Sequence, residues 1–433
     1  MTEAGPITVN PLPPDHVHRR ILADEVHARP PETIDTPARA TYLAVLIDLA
    51  DRERERMHLA ELCDAFGLAP PGADASHFAA DLGALRFKWE RHGEFSDYMF
   101  TIAGLSPSPY GEPAIDRLPP GWLGAVPGAT VFAAHGKLIP DAGSPPDTVF
   151  LTDFFGGNVV VGSEIGGGAG FAYTDFKIDG SGFERFLLLN RNLTSRQAGR
   201  MLQRLFEIEA YRMMAMLALP IARQQAPQIA AMESALAALT EEMTQPGADD
   251  DALLQQLTRL AASVQSVVSA TQFRFNACRA YHDLVTTRIG ELRESRLPGI
   301  QPIAEFMQRR FTPAAATCAS LARRLDALSE RVTQASSLLS TRVDIVRERQ
   351  NLQLLATMDR RAEMQFRLQR TVEGLSVVAI VYYLAGLVGY GTKALKARGL
   401  HVDPDLTIGA AIPLLLVLCL WAMARAHRRL HRS

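Results

Sequence analysis

Two apolar runs near the end of the chain constrain it more than any other feature. Val372 to Gly391 reads VEGLSVVAIVYYLAGLVGYG, with a single charge, Glu373, near its start. Leu406 to Ala424 reads LTIGAAIPLLLVLCLWAMA, is uncharged, and carries Trp421 near one end. A helix needs about 20 apolar residues to cross the hydrocarbon core of a bilayer, so both runs are predicted to span, with Trp421 as an interfacial anchor. Two crossings return the chain to its starting side. Arg360, Arg361, Arg367 and Arg370 precede the first run and Arg425, Arg428, Arg429 and Arg432 follow the second, against Lys393, Lys396 and Arg398 between them. Basic residues are retained on the cytoplasmic side, which puts both termini in the cytoplasm and the loop Thr392 to Asp405 outside. Met1 to Pro14 show neither a basic start nor an apolar run, so no cleavable export signal is expected.

A formal charge of -2 argues against a nucleic-acid partner, which would call for a basic surplus to neutralise phosphates. Cys63, Cys278, Cys318 and Cys419 lie far apart, form no C-x-x-C pair and read as free thiols of a reducing compartment.

Before the spans the chain divides by pattern. Residues 1–39 are a proline-punctuated arm. Residues 40–190 hold short apolar runs separated by Gly, Pro and Asp: TYLAVLIDL, ALRFKWER, SDYMFTIAG, GATVFAAH, TVFLTDFF, NVVVGSEI, GFAYTDFKI and FERFLLLN. These are predicted strands, interrupted by one helix at about Arg52 to Gly67, where Leu59, Leu62 and Phe66 recur at helical spacing. From Thr194, spaced with Gln197 as a capping box, the strands cease and helical hairpins occupy 191–370, broken at Gln245 to Asp251 and Leu297 to Pro302. Leu321, Leu325, Leu328, Val332, Ala335, Leu339, Val343 and Val346 alternate steps of three and four, the mark of a bundle or coiled-coil seam. The seam points into the first span, so a single helix from Pro313 to Gly391, about 115 Å at 1.5 Å per residue, is expected, with identical copies as natural neighbours. The predicted fold is thus an α+β cytoplasmic domain, a helical stalk, and a two-helix transmembrane hairpin at 371–433 with a basic tail.

This order of elements resembles the CorA-type metal-ion transporters, and so does the end of the first span. Ala385 to Gly391 reads AGLVGYG where those transporters read close to AGIYGMN, and Ala84 to Gly104 is similar to a strand pair of their cytoplasmic domain. The resemblance implies a pentamer whose first membrane helices line a pore, with a divalent cation as the ion bound. A closer likeness, in LADEVHARPPE (Leu22 to Glu32) and LQRTVEGLSVVAIVYY (Leu368 to Tyr383), is to an uncharacterised bacterial family of predicted membrane-anchored proteins. It implies a bacterial inner-membrane location and names no activity. The chain departs from the transporter signature at Gly391, which lacks the side-chain carbonyl of an asparagine ring, and Lys393, Lys396 and Arg398 follow where an arriving cation would be repelled.

Within the first span Glu373, Ser376 and Tyr383 keep a common side through steps of three and seven, and with Gly389, Tyr390 and Gly391 they are the pore-lining candidates. Arg367 and Arg370 belong to the cytoplasmic mouth or to lipid headgroups. Gly162 to Gly170 is glycine-rich yet lacks the Lys-Ser/Thr end of a phosphate loop and reads as a hairpin turn. His16, His18 and His27 form a metal candidate, weighed against a solvated arm. No nucleophile elbow, H-E-x-x-H pair or kinase signature occurs, so an ion-conducting oligomer and a non-conducting membrane-anchored scaffold or sensor are the expectations, ahead of an enzyme.

Overall fold

Strand β1 (Ala38–Leu46) is buried along nearly all its length, because it runs through the middle of a nine-stranded sheet. The other strands are β2 (His77–Leu82), β3 (Leu85–Arg91), β4 (Phe95–Ala103), β5 (Ala129–Pro140), β6 (Val161–Ile165), β7 (Gly170–Thr174), β8 (Glu184–Asn190) and the two-residue β9 (Ser295–Arg296). Their order is β2-β3-β4-β1-β5-β8-β7-β6-β9; β5 and β8 are parallel and every other neighbouring pair is antiparallel. The computed structural model describes residues 13–20, 22–23, 30–143, 146, 148–397 and 403–430. The helices are α1 (Arg52–Ala65), α2 (Thr148–Phe154), α3 (Ser195–Met216), α4 (Ala218–Glu242), α5 (Asp250–Leu292), α6 (Ile303–Arg310), α7 (Thr312–Ala397) and α8 (Pro404–Leu430).

Alternation along the strands gives the sheet two different faces. On one, Leu43, Val45, Phe87, Trp89, Tyr98 and Phe100 close a core with Leu59 and Leu62 of α1. Glu55 of α1 is buried in that core, and its Oε1 accepts hydrogen bonds from Trp89 Nε1 and Tyr98 Oη, each at 2.9 Å. On the opposite face Tyr42 stacks on Phe206 of α3, with ring centroids 5.2 Å apart. A Cβ at Gly136 would lie 2.7 Å from the Phe206 ring, so a side chain there would push α3 away from β5. The end of the predicted arm is tied to the same helix: Ile34 donates its N–H to Ser195 O at 3.0 Å. A Cβ at Gly199 would come within 1.9 Å of Glu32 O, so this crossing needs a glycine.

The run TVFLTDFF, expected to be a strand from its β-branched and aromatic content, is instead α2. Leu151, Phe154 and Phe155 are buried while Val149 and Phe150 are exposed, a spacing of three and four that only a helix can bury. The edge strand β2 was not anticipated; its exposed and half-buried residues alternate without an apolar run to mark it. β9 adds a strand after Thr194 by pairing with β6 at Ser163 and Glu164. The predicted turn between β6 and β7 is present, with Gly166, Gly167 and Gly168 all at positive φ, which favours glycine. Thr194 and Gln197 form the predicted reciprocal capping box at the start of α3.

The chain forms two compact units. One comprises the residues up to Ala248 with Gln255–Ala335, and so groups the sheet with α3, α4, α6 and most of α5. The other comprises Asp249–Leu254 with the residues from Ser336 onward. In the first unit Leu321, Leu325, Leu328, Val332 and Ala335 of the predicted seam are buried, and Arg324 bonds Glu233 of α4 through two nitrogens at 3.0 and 2.6 Å. In the second, Leu339 and Val343 are buried and Arg342 is paired with Asp250. Val346, the last seam position, is 42% exposed, so the intrachain seam stops one step earlier than its spacing suggests.

Candidate functional site

The C-terminal hairpin of the second unit carries most of the residues singled out by sequence. α7 is one uninterrupted helix of 86 residues, and α8 follows with 27. Both contain stretches long and apolar enough to cross a membrane, with mean hydropathy of 1.8 and 2.3. Only 22% of the first stretch and none of the second is buried, which separates them from core helices. One strip of α7, made by Val377, Val381, Ala385 and Thr392, is buried. Gly389 belongs with it: a Cβ there would lie 2.8 Å from Cδ1 of Ile408 on α8. Tyr383 and Tyr390 are exposed at 73% and 75%, and Ser376 is exposed with its hydroxyl donating to Val372 O at 2.9 Å. Glu373 is half-buried and accepts a hydrogen bond from Gln369 Nε2 at 3.1 Å.

A second cluster of chemistry lies in the sheet unit, on the face under α3. The hairpin of β3 and β4 places Lys88, Glu90 and His92 at alternate positions, and Glu90 stands opposite Asp97 in register. His92 Nε2 is 2.9 Å from Asp97 Oδ2, to which Tyr42 also donates at 3.1 Å. Lys88 Nζ lies 3.0 Å from Glu90 Oε1 and donates to Pro30 O at 3.1 Å and to Gln203 at 3.3 Å. On the helices, Gln203 donates to Glu207 at 2.7 Å, Glu207 is paired with Arg288, and Arg204 meets Glu291 at 2.9 Å. Burial raises the pKa of Glu207, an effect that Arg288 opposes. Burial and then the Asp97 carboxylate hold the Tyr42 phenol well above its ordinary value.

Further along α3, Arg212 pairs with the fully buried Glu209, and Glu184 of β8 lies beside that pair. Burial, then repulsion from Glu209, raises the Glu184 pKa well above the ordinary carboxylate range. On the other side of the sheet, His135 Nδ1 is 2.9 Å from Thr41 Oγ1 and its ring stacks on Phe183 at 4.1 Å. Burial lowers the His135 pKa to about 4.

The model of one family matches residues 14–430, nearly the whole chain. The chain belongs to the family described as Protein of unknown function (DUF3422). No curated protein and no solved structure matches it. Membership of this family thus agrees with the likeness in LADEVHARPPE and LQRTVEGLSVVAIVYY, and the match shows no similarity to CorA-type transporters.

Of the pore-lining candidates in this DUF3422 chain, the structure leaves Ser376, Tyr383 and Tyr390 open and Glu373 half-open along one side of α7. Gly389 is set apart against α8, and Gly391 has open space around it. Arg367 and Arg370 are exposed and make no ion pair among the described residues. His16 and His18 are exposed with ring centroids 5.5 Å apart; His27 and Arg398 lie outside the described residues. The group whose atom types suit a metal is instead Glu90, His92 and Asp97, with one ligand atom of each within 4.8 Å of the others. Lys88 and Tyr42 already engage its two carboxylates, so a cation would have to displace an ammonium, and the arrangement reads as an internal ion-pair network. The sequence signal for it was a run of charges, Arg86, Lys88 and Glu90, at every second position of a predicted strand, with His92 just beyond its end. Such a run normally marks a solvated face, and only α3 and the arm lying over it make it interior.

Proposed function

We propose that this chain is a subunit of a membrane-anchored homo-oligomer whose C-terminal hairpin provides a path for ions across the bilayer. The observation that carries this reading is the continuity of α7, whose buried seam gives way to an unbroken run of exposed residues from Asp344 to Val372, Leu352, Leu355, Met358 and Phe366 among them. A helix that buries no face has little to stabilise it beyond its own hydrogen bonds, so lipid and neighbouring copies supply the missing cover. The basic residues flanking the two apolar stretches favour both termini on the cytoplasmic side of a bacterial inner membrane. The order of sheet domain, helical stalk and hairpin supports a CorA-like, pentameric arrangement by analogy of architecture. Catalysis has no part in this reading, since Glu55, Glu90, Glu207 and Glu209, four of the buried carboxylates of the sheet unit, are held in ion pairs.

A second reading, a non-conducting anchored scaffold or sensor, is favoured by Tyr383 and Tyr390, whose exposed rings would close a narrow axis without polar relief. Ion flux into proteoliposomes carrying the full chain decides between the two, with magnesium, cobalt, zinc, potassium and chloride tested alongside Glu373→Ala. The expected result is selective flux that the variant alters. Absence of flux for every ion, from an intact oligomer, overturns the conduit and leaves the scaffold.

A further inference from the structure

α7 carries a second heptad on a different side from the seam that its own chain buries. Leu338, Ile345, Leu352, Phe366, Ile380 and Leu387 recur at multiples of seven, and all six are exposed. Three residues further on, from the third repeat onward, lie Leu355, Ala362, Gln369, Ser376, Tyr383 and Tyr390, also exposed. First and fourth positions of a heptad are where parallel helices meet, and this register holds from the stalk into the apolar stretch without a break. The intrachain seam residues Leu339 and Val343 fall at other positions of the repeat and are already covered.

Charge is distributed unevenly over the repeat. Seven arginines occur between Leu338 and Tyr390, and none occupies a first or fourth position. Glu348, Asp359 and Glu373 do. Arg367 falls at the second position and Arg370 at the fifth, so neither would point along an axis made by this strip.

Asp344 and Arg349 give the strip its partner. They hold the seventh position of one heptad and the fifth of the next, are exposed, and have no ion-pair partner among the described residues. That is the spacing at which residues of two helices pair across a parallel, in-register interface. Helices inserted in a membrane with one orientation are necessarily parallel, so a second copy of this chain satisfies the pairing.

We propose that this strip is the surface on which copies of the chain pack in parallel around a common axis, where Glu348, Asp359 and Glu373 form carboxylate rings that favour cations. The cation preference rests on the conduit reading above, whereas the packing does not. Phe366, between Asp359 and Glu373, supplies an apolar ring.

The two parts are tested separately on the full chain in membranes. In a Cys419→Ser background, copper-phenanthroline oxidation should link Phe366→Cys into covalent dimers at least tenfold more efficiently than Arg367→Cys. Equal linking, or linking through Arg367→Cys alone, overturns the strip whatever the flux. Asp344→Arg and Arg349→Asp should each reduce the Phe366→Cys dimer yield and together restore it; a double variant no better than the singles overturns the parallel register. In planar bilayers, the potassium-over-chloride permeability ratio should fall at least tenfold in Asp359→Asn/Glu373→Gln. An unchanged ratio overturns the cation rings, and so does the absence of any current from a chain that links through Phe366→Cys, which defeats the conduit and leaves the packing intact.

Discussion

The two units of this chain invert each other. The sheet unit keeps charge inside: Glu209 is fully buried with Arg212, Glu207 is buried with Arg288, and Lys88, Glu90 and Asp97 are buried together. The helical unit keeps apolar surface outside, with Leu352, Phe366, Tyr383 and Leu387 each more than half exposed. Buried charges are tolerable only when paired and hydrogen-bonded, and these pairs are completed within one chain. Exposed apolar surface on this scale is tolerable only when lipid or protein covers it, so the helical unit has not. The sheet unit should therefore respond to mutation as a closed network, and the helical unit according to what surrounds it.

The largest expected effect lies in the closed network. Arg212→Met leaves the fully buried Glu209 without its counter-charge and should cost about 3–5 kcal/mol, read from denaturant unfolding of the detergent-solubilised chain by near-UV circular dichroism. A loss under about 1 kcal/mol would mean that the network is not closed and that water or another cation reaches it.

A smaller effect is expected from His135. Its pKa falls from 6.5 to about 4 on folding, so the neutral ring contributes stability that is full above 6.5 and is lost as pH falls toward 4. The limit is about 3 kcal/mol for one proton over that interval, and His135→Gln should flatten that part of the stability profile. A profile that keeps its slope in the variant would assign the acid sensitivity to other groups.

The helical unit gives the smallest and most position-dependent effects. Gly389→Leu drives a side chain into Ile408 and should destabilise the α7–α8 hairpin by about 1–3 kcal/mol, measured as a lower Tm in nanodiscs. Gly374→Leu, at a position with open space around it, should shift Tm little. Equal shifts would mean that lipid or neighbouring copies crowd both faces of α7 alike.

Much of this division is legible in the primary structure. The apolar hairpin, the helix entering it, the Thr194 cap and the β6–β7 glycine turn depend on local composition and spacing, and each appears as expected. The α2 segment does not, because its β-branched and aromatic residues favour a strand locally, and burial of Leu151, Phe154 and Phe155 on one side decides for a helix. Nor was the buried ion-pair network legible, since its members come from β1, β3, β4, α3 and α5 and read separately as ordinary surface charges. The heptad strip is a middle case. Its spacing is present in the sequence, but only the burial of Leu339 and Val343 shows which face of α7 its own chain has already taken.

The sequence by itself determined where the chain is apolar, where its long helices run, and which family it belongs to, because hydropathy, capping and turn chemistry act over a few residues. Only the tertiary structure decided which charges are interior and which apolar residues are left open. Burial depends on which distant segments pack together, as when α3 and the Pro30 segment cover Lys88, 58 residues from Pro30 and 115 from Gln203.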